Sequence, residues 1–275
     1  MSKNILVTGG LGFIGSHTVV ALHEAGFNPV IVDNLSNSKL GILDHIEHIT
    51  GKKPKFYEED VLHNVDMEII LENENIDGVI HFAAYKSVSE SLEDPFSYYE
   101  NNVGGLMNLM SAMKYNDCTK IVFSSSCTVY GEPDVIPVDE QSPVKQATTA
   151  YGSTKQVCEI MLRDNTWLDS IALRYFNPVG GHESGMLGEL PLGTPNNLVP
   201  YLTQTAAGIR EQLTVFGDDY DTRDGSCIRD FIHVMDLAEA HVKAVERLFD
   251  EDRDRNKEKQ APDTKNFEVF NVGTG

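Results

Sequence analysis

Basic residues are scarce in this 275-residue chain: 22 Lys and Arg stand against 42 Asp and Glu, a formal net charge of −20. That field repels phosphate backbones and anionic lipid surfaces, so neither nucleic acid nor a membrane is expected as a partner. It also requires that any anionic ligand be gripped by local features. Long hydrophobic runs are missing too, and nothing approaches the roughly 18 apolar residues that cross a bilayer. Met1–Gly9 runs directly into a strand-like segment without the apolar stretch of a signal peptide. Cysteine is rare: Cys118, Cys127, Cys158 and Cys227 show no C-x-x-C spacing. Reduced thiols in the cytoplasm are the expectation. His81, His182 and His233 are scattered, so no metal centre is expected.

At 41% hydrophobic and 23% charged, the remaining composition is that of a globular chain long enough for a large core. Short β-rich runs at Asn4–Val7, Val30–Asp33, Gly78–Phe82, Lys120–Ser124 and Ser170–Tyr175 alternate with helical patterns. Those patterns cover Ile14–Glu24, Met67–Glu72, Phe96–Tyr115 and Tyr151–Arg163, with Leu106, Leu109, Met110 and Met113 on one side of the third. The alternation predicts an α/β fold: a doubly wound parallel sheet with a smaller mixed lobe. Residues 1–176 form the expected sheet domain and 177–234, rich in Gly and Pro at first, the lobe. Within the lobe we expect a helix at Val199–Gly208, a strand at Leu213–Phe216 and a strand or turn at Arg229–Val234. Met235–Phe249 reads as a helix returning to the first domain (235–250), and Asp250–Lys265 as a charged, exposed loop. Phe267–Val272 alternates like a strand and feeds Gly273-Thr-Gly275. We therefore expect 251–275 to begin a second part of the lobe, left incomplete, with its strand unsupported.

Between the first strand and first helix lies Thr8-Gly-Gly-Leu-Gly-Phe-Ile-Gly15. Gly9, Gly12 and Gly15 give G-x-x-G-x-x-G, and Gly10, Gly12 and Gly15 give G-x-G-x-x-G. Glycine suits a tight turn, close approach to a pyrophosphate, and close packing of helix on strand. The helix N-terminus then offers N–H groups and a positive dipole end to the anion. The next strand ends in Asp33, spaced to accept hydrogen bonds from the adenosine ribose hydroxyls. A carboxylate there favours NAD over NADP; the same side chain could instead cap the loop Asn34–Ser38.

Tyr151-Gly-Ser-Thr-Lys155 places a phenol and an amine one helical turn apart. Of ten tyrosines, only this one has lysine four residues later. An ammonium beside a phenol favours the phenolate, and moving a tyrosine from about 10 to near 7 takes roughly 4 kcal/mol. Such a tyrosine exchanges protons with an alcohol at neutral pH.

The glycine turn, the run Phe123-Ser-Ser-Ser-Cys-Thr-Val-Tyr-Gly131 and Tyr151-x-x-x-Lys155 resemble the extended short-chain dehydrogenase/reductase family. Ile80–Lys86, Leu173–Gly180, Pro195-Asn-Asn-Leu198 and Ile228–Asp236 are similar, more narrowly, to its UDP-glucose 4-epimerase branch. The resemblance implies reversible conversion of UDP-glucose and UDP-galactose on a permanently held NAD. It implies that Tyr151 takes the proton of the sugar 4-hydroxyl, that Lys155 tunes Tyr151 and binds the nicotinamide ribose, and that Ser126 bonds the 4-oxygen. On the cofactor side it implies Gly9, Gly12, Phe13, Ile14 and Gly15 at the pyrophosphate. Asp33, Asn34, Leu35, Ser36, Asn37 and Ser38 would lie near the adenosine, with Asp60 and Val61 by the adenine. Phe82, Ala83, Ala84, Lys86, Asn101 and Phe176 would line the middle and nicotinamide end. Asn177, Asn197, Leu198, Phe216 and Arg229 would face the nucleotide sugar. Packing accounts equally well for Phe82–Ala84 at the end of a buried strand, and turn formation for Asn177 and Asn197.

The resemblance also implies a homodimer packed through helices such as Phe96–Tyr115 and Tyr151–Arg163. The family's chains run further, and that portion supplies a second diphosphate-binding Arg and a residue gating sugar size. A UDP-N-acetylhexosamine 4-epimerase, a reductase or an NAD-binding but inactive fragment are the alternatives. A dehydratase is disfavoured because Cys127 and Thr128 stand where that chemistry places Asp-Glu.

Overall fold

The computed structural model describes residues 2–250 and 266–275. Seven strands form one parallel sheet: β1 (Asn4–Thr8), β2 (Asn28–Asp33), β3 (Lys55–Glu58), β4 (Gly78–His81), β5 (Lys120–Ser124), β6 (Asp169–Tyr175) and a last strand at Phe267–Val272. Their spatial order is β3-β2-β1-β4-β5-β6 followed by the last strand. The order reverses between β1 and β4, which opens a crevice at their carboxyl ends. Two short strands, β7 (Asn177–Val179) and β8 (Phe231–His233), pair in parallel outside this sheet. The last strand is accordingly β9.

Alternate residues of each strand serve opposite faces, and the helices divide between them. Leu6, Val79, Ile121, Phe123 and Ala172 pack with Met67, Leu71, Leu106, Leu109, Met113, Cys158 and Leu162. Those partners come from α3 (Asn64–Asn73), α6 (Gly105–Tyr115) and α7 (Ala150–Asp164). Ile5, Val7, Ile31, Ile80, Val122 and Ile171 pack on the other face with Val19, Leu22, Ile46, Val242 and Val245. These belong to α1 (Phe13–Glu24), α2 (Ile42–Thr50) and α9 (Val234–Leu248). The remaining helices are α4 (Val88–Glu93), α5 (Pro95–Tyr98) and α8 (Leu198–Ala206), with a π-helical segment Tyr99–Gly104 joining α5 to α6.

Three expectations are corrected. Leu213–Phe216 is not a strand; it is irregular and exposed, because no neighbouring strand among the described residues supplies hydrogen-bond partners. Phe267–Val272 is not unsupported: all six residues pair with β6, from Ser170↔Phe267 to Tyr175↔Val272. It extends the main sheet rather than opening a further lobe, and its turn is tied back by Thr274, whose Oγ1 donates to Asp230 Oδ1 at 2.7 Å. The charged stretch 251–265 lies outside the described residues. No described helix is long and apolar enough to cross a membrane.

Candidate active site

The crevice is a cleft of about 980 Å³ running from the glycine turn, past the ends of β2 and β4, to the segment before α8. The turn reads as a cradle. Gly9 has φ +68°, and a Cβ there would lie 2.9 Å from the Ala83 backbone nitrogen. A Cβ on Gly15 would run into the Gly9 carbonyl, so this residue lets α1 meet β1. No side chain caps the start of α1, and no acid sits in its first turn. Its leading N–H groups are therefore directed to the cleft without a competing carboxylate. This backbone fits a pyrophosphate.

Asp33 does two things at once. Its Oδ2 accepts from Leu11 N at 3.0 Å, and its Oδ1 accepts from Leu35 N at 3.0 Å and Ser38 Oγ at 2.7 Å. It clamps the glycine turn and caps the following loop while lining the cleft. Asn34, Ser36, Asn37, Ser38 and Val61 line the same end, and Phe82, Ala83, Ala84, Lys86 and Asn101 the middle. Leu35 and Asp60 stand outside the cleft lining. Leu35 takes the left-handed backbone, φ 58°, that closes the loop. Asp60 accepts from Asn34 Nδ2 at 2.7 Å and from Leu62 N at 2.9 Å.

At the floor lie Tyr151 and Lys155, both buried and both lining the cleft. Thr149 caps α7 by accepting from Gly152 N at 3.1 Å, which sets Tyr151 in the first turn. Lys155 Nζ donates to the Ser124 carbonyl at 2.8 Å, lies 4.9 Å from the Phe123 ring centre and 5.8 Å from that of Tyr151. Burial dominates and pushes Tyr151 up, a hydrogen bond with the Ser126 hydroxyl acting weakly against it. Burial likewise brings the Lys155 ammonium down to about 8.

Ser126 itself is buried, its Oγ accepting from Thr128 N at 3.2 Å and Thr128 Oγ1 at 3.0 Å. Burial pushes the adjacent Cys127 thiol up, so it offers no acid–base group of a dehydratase kind.

The nucleotide-sugar candidates are less gathered. Asn197 lines the cleft and donates from Nδ2 to Glu189 Oε1 at 2.6 Å; Lys86 Nζ reaches the same oxygen at 3.4 Å. Asn177, Leu198, Phe176, Phe216 and Arg229 stand outside the cleft lining. Asn177 is occupied by β7–β8 pairing, its Nδ2 donating to the Asp230 carbonyl at 2.9 Å. Phe176 packs toward Gly273. Leu198 is exposed at the start of α8, and Phe216, 86% exposed, touches no wall. Arg229 turns back to the Ile228 carbonyl at 2.8 Å, yet its charge acts on Cys127 beside Ser126. Glu189, Tyr175 and Ser124, all lining the cleft, escaped the sequence reading. Tyr175 carries a hydroxyl 2.5 Å from Ser124 Oγ; it sits in a strand-like run with no spacing to mark it. Among the described residues Glu59, His63 and Asp66 could converge on a metal ion, but they lie at the partly exposed α3 end, and His63 Nδ1 is 2.5 Å from Glu59.

A glycine cradle at the switch point and a buried Tyr–Lys pair across from it define a nucleotide-cofactor enzyme of the short-chain dehydrogenase type. Residues 5–273 match the NAD dependent epimerase/dehydratase family, and the chain belongs to that family. Among its members it is similar to UDP-glucose 4-epimerases. That of Yersinia enterocolitica is 46% identical over 276 residues, covering 99% of this chain and 78% of the relative. The structure of the Stenotrophomonas maltophila enzyme, with bound NAD and formylated UDP-arabinopyranose, superposes with a TM-score of 0.91 at 44% identity, covering 99% of this chain and 78% of that one. The Bifidobacterium longum enzyme, in complex with NAD+ and UDP, gives 0.90 at 43% identity with the same coverage.

Proposed function

We propose that this chain reversibly inverts C4 of a UDP-hexose, interconverting UDP-glucose and UDP-galactose with NAD held in the cleft. The observation that carries the reading is the buried Tyr151–Lys155 pair facing the glycine cradle across one cleft. NAD, when bound, supplies the hydride acceptor and donor. The chain moves the proton: the Tyr151 oxygen takes it from the sugar 4-hydroxyl and returns it to the same oxygen after the keto sugar has turned. Ser126, whose hydroxyl acts on the Tyr151 phenol, steadies that oxygen. Because burial holds the phenol protonated, positive charge must gather beside it, and Lys155 is the chain's own contribution.

In this reading residues 1–176 hold NAD and 177–234 the UDP-sugar. Gly9, Gly12, Phe13, Ile14 and Gly15 cradle the pyrophosphate, Asp33 takes the ribose hydroxyls, and Asn34–Ser38 with Val61 flank the adenosine. Phe82–Ala84, Lys86 and Asn101 lie along the nicotinamide half. Asn197 meets the nucleotide sugar, and Arg229 is the cation for its diphosphate. The enzyme works as a cytoplasmic homodimer; Phe96, Met107 and Ile160, exposed on α5, α6 and α7, offer an apolar contact face, and the four cysteines are free thiols.

Incubating the purified chain with UDP-glucose without added cofactor tests the reading. UDP-galactose should form. Release of a reduced cofactor without a sugar product would defeat it, and turnover confined to UDP-N-acetylglucosamine would move the substrate class.

A further inference from the structure

Glu159 is two turns beyond Tyr151 and one beyond Lys155 on α7, and all three side chains are buried. Its carboxylate meets the Arg174 guanidinium side by side: Nε donates to Oε1 at 2.9 Å and Nη2 to Oε2 at 2.6 Å. The side chains of this pair are 3% and 4% exposed. Such a pair is a costly way to hold a core together, because two charges must leave water; an apolar pair would pack as well. Its geometry shows a more specific use. Oε1 also accepts from Ser125 Oγ at 2.6 Å.

The three serines after β5's Phe123 are thereby each engaged by a successive turn of one helix. Lys155 takes the Ser124 carbonyl, Glu159 takes the Ser125 hydroxyl, and Tyr151 meets the Ser126 hydroxyl. The Arg174 end is anchored in turn: the guanidinium lies 4.8 Å from the Tyr130 ring centre, and Tyr130 Oη donates to Asn271 Oδ1 at 2.6 Å. This chain of contacts joins α7, the serine run, β6 and β9.

We propose that Glu159, held by Arg174, is a positioning residue that sets the spacing between the Tyr151 and Ser126 hydroxyls by gripping Ser125. The inference rests on the proton-transfer reading of Tyr151 and Ser126 given above. The Ser125 N–H donates to the Phe123 and Leu173 carbonyls at 3.0 Å, which ties the run to the sheet; the hydroxyl bond to Glu159 is what ties its centre to α7, and without it Ser126 can shift relative to Tyr151. Misplacement of an acid–base pair by about 1 Å is enough to cost 10²-fold in rate. Glu159 stands outside the cleft lining, so its loss should act on the chemical step and leave binding alone.

Ser125→Ala removes the grip and keeps the ion pair. Glu159→Gln keeps the shape and removes the charge. For both we expect kcat on UDP-glucose to fall about tenfold or more with KM near that of the parent; cofactor content and melting midpoint stay near those of the parent in Ser125→Ala, whereas Glu159→Gln, which leaves the buried Arg174 charge unpaired, also lowers the melting midpoint. Single-turnover reduction of the bound NAD by UDP-glucose should slow by the same factor. Glu159→Gln should also move the alkaline limb of kcat to lower pH, since the Glu159 charge raises the Lys155 ammonium; Ser125→Ala should leave that limb in place. An unchanged kcat in Ser125→Ala overturns the proposal. So does a fall in kcat in Ser125→Ala matched by loss of cofactor and melting midpoint, which would make the Glu159–Ser125 contact merely structural. Tyr151→Phe, run alongside, separates the levels: if it stays active, the underlying proton-transfer reading fails, whereas an inactive Tyr151→Phe with a fully active Ser125→Ala sinks only the positioning role.

Discussion

The Lys155 ammonium points at the Ser124 carbonyl, 2.8 Å away, and passes 5.8 Å from the Tyr151 ring centre. The pair thus shares a helix face without a direct bond between its polar ends. Burial sets the ionisation of both groups, in opposite directions, and keeps each nearer its uncharged form.

Replacing the phenol tests the centre most directly. Tyr151→Phe removes the acid–base oxygen and leaves the ring, so turnover should drop by on the order of 10³-fold while NAD remains bound. Assay of UDP-galactose formation with cofactor content measured on the same sample decides it; a loss below tenfold would remove Tyr151 from the proton path.

Lys155 should trade stability for function. Its ammonium falls from 10.5 in the unfolded chain to about 8 when folded. Below pH 8 the fold therefore carries the cost of a buried charge, and this cost is relieved as pH rises from 8 to 10.5. Lys155→Met should be inactive yet more stable in cofactor-free protein at pH 7, by about 1–2 kcal/mol after loss of the bond to Ser124. Urea unfolding at pH 7 and pH 10 checks it; the gap should narrow at the higher pH.

Acid should unfold the chain through buried histidines. Burial, helped by the Lys155 charge, holds His81 down at about 3, and burial holds His241 at about 4. The unfolded chain binds protons that the folded chain refuses, so stability contributed by each falls as pH drops from 6.5 toward those values. His241 lies with its ring 4.6 Å from that of Phe82 and its Nε2 without a partner among the described residues. His241→Met should shift the acid-unfolding midpoint, followed by circular dichroism, to lower pH by several tenths of a unit.

The cradle should tolerate no methyl. In Gly15→Ala the new Cβ meets the Gly9 carbonyl, and α1 must move away from β1. Overpacking of this kind costs about 1–3 kcal/mol. NAD content of the purified variant should fall at least tenfold, and a normal content would mean that α1 does not set the pyrophosphate site.

Much of the sheet was legible because strand runs such as Lys120–Ser124 and Phe267–Val272 are short, apolar or alternating, and bounded by turn residues. The cofactor end was equally legible, since a glycine turn and Asp33 follow from backbone geometry and local spacing. β3 (Lys55–Glu58) was missed: it is a short edge strand with charge at both ends and no apolar run to mark it. α2 escaped because the loop before it conceals its start; no side chain caps it. The sugar end was least readable. Glu189, Asn197 and Lys86 meet only through folding, across separations that no local pattern encodes. Arg229 was marked by its residue type, suited to phosphate, but its placement was not readable: its side chain turns to the preceding carbonyl, outside the cleft lining.

The pairing of β9 with β6 has a consequence for how this chain reaches its native state. Ser170 pairs with Phe267, so any sheet formed before residues 267–272 are made has β6 as an open edge. An unpaired edge of Ile171, Ala172 and Leu173 is a template for association with other chains. Loop-closure entropy makes its proper capping slow compared with the local steps that build the rest of the sheet. Biogenesis of this protein is therefore exposed to aggregation at one identifiable seam, and the interval before β9 docks is when a holding chaperone has most to protect.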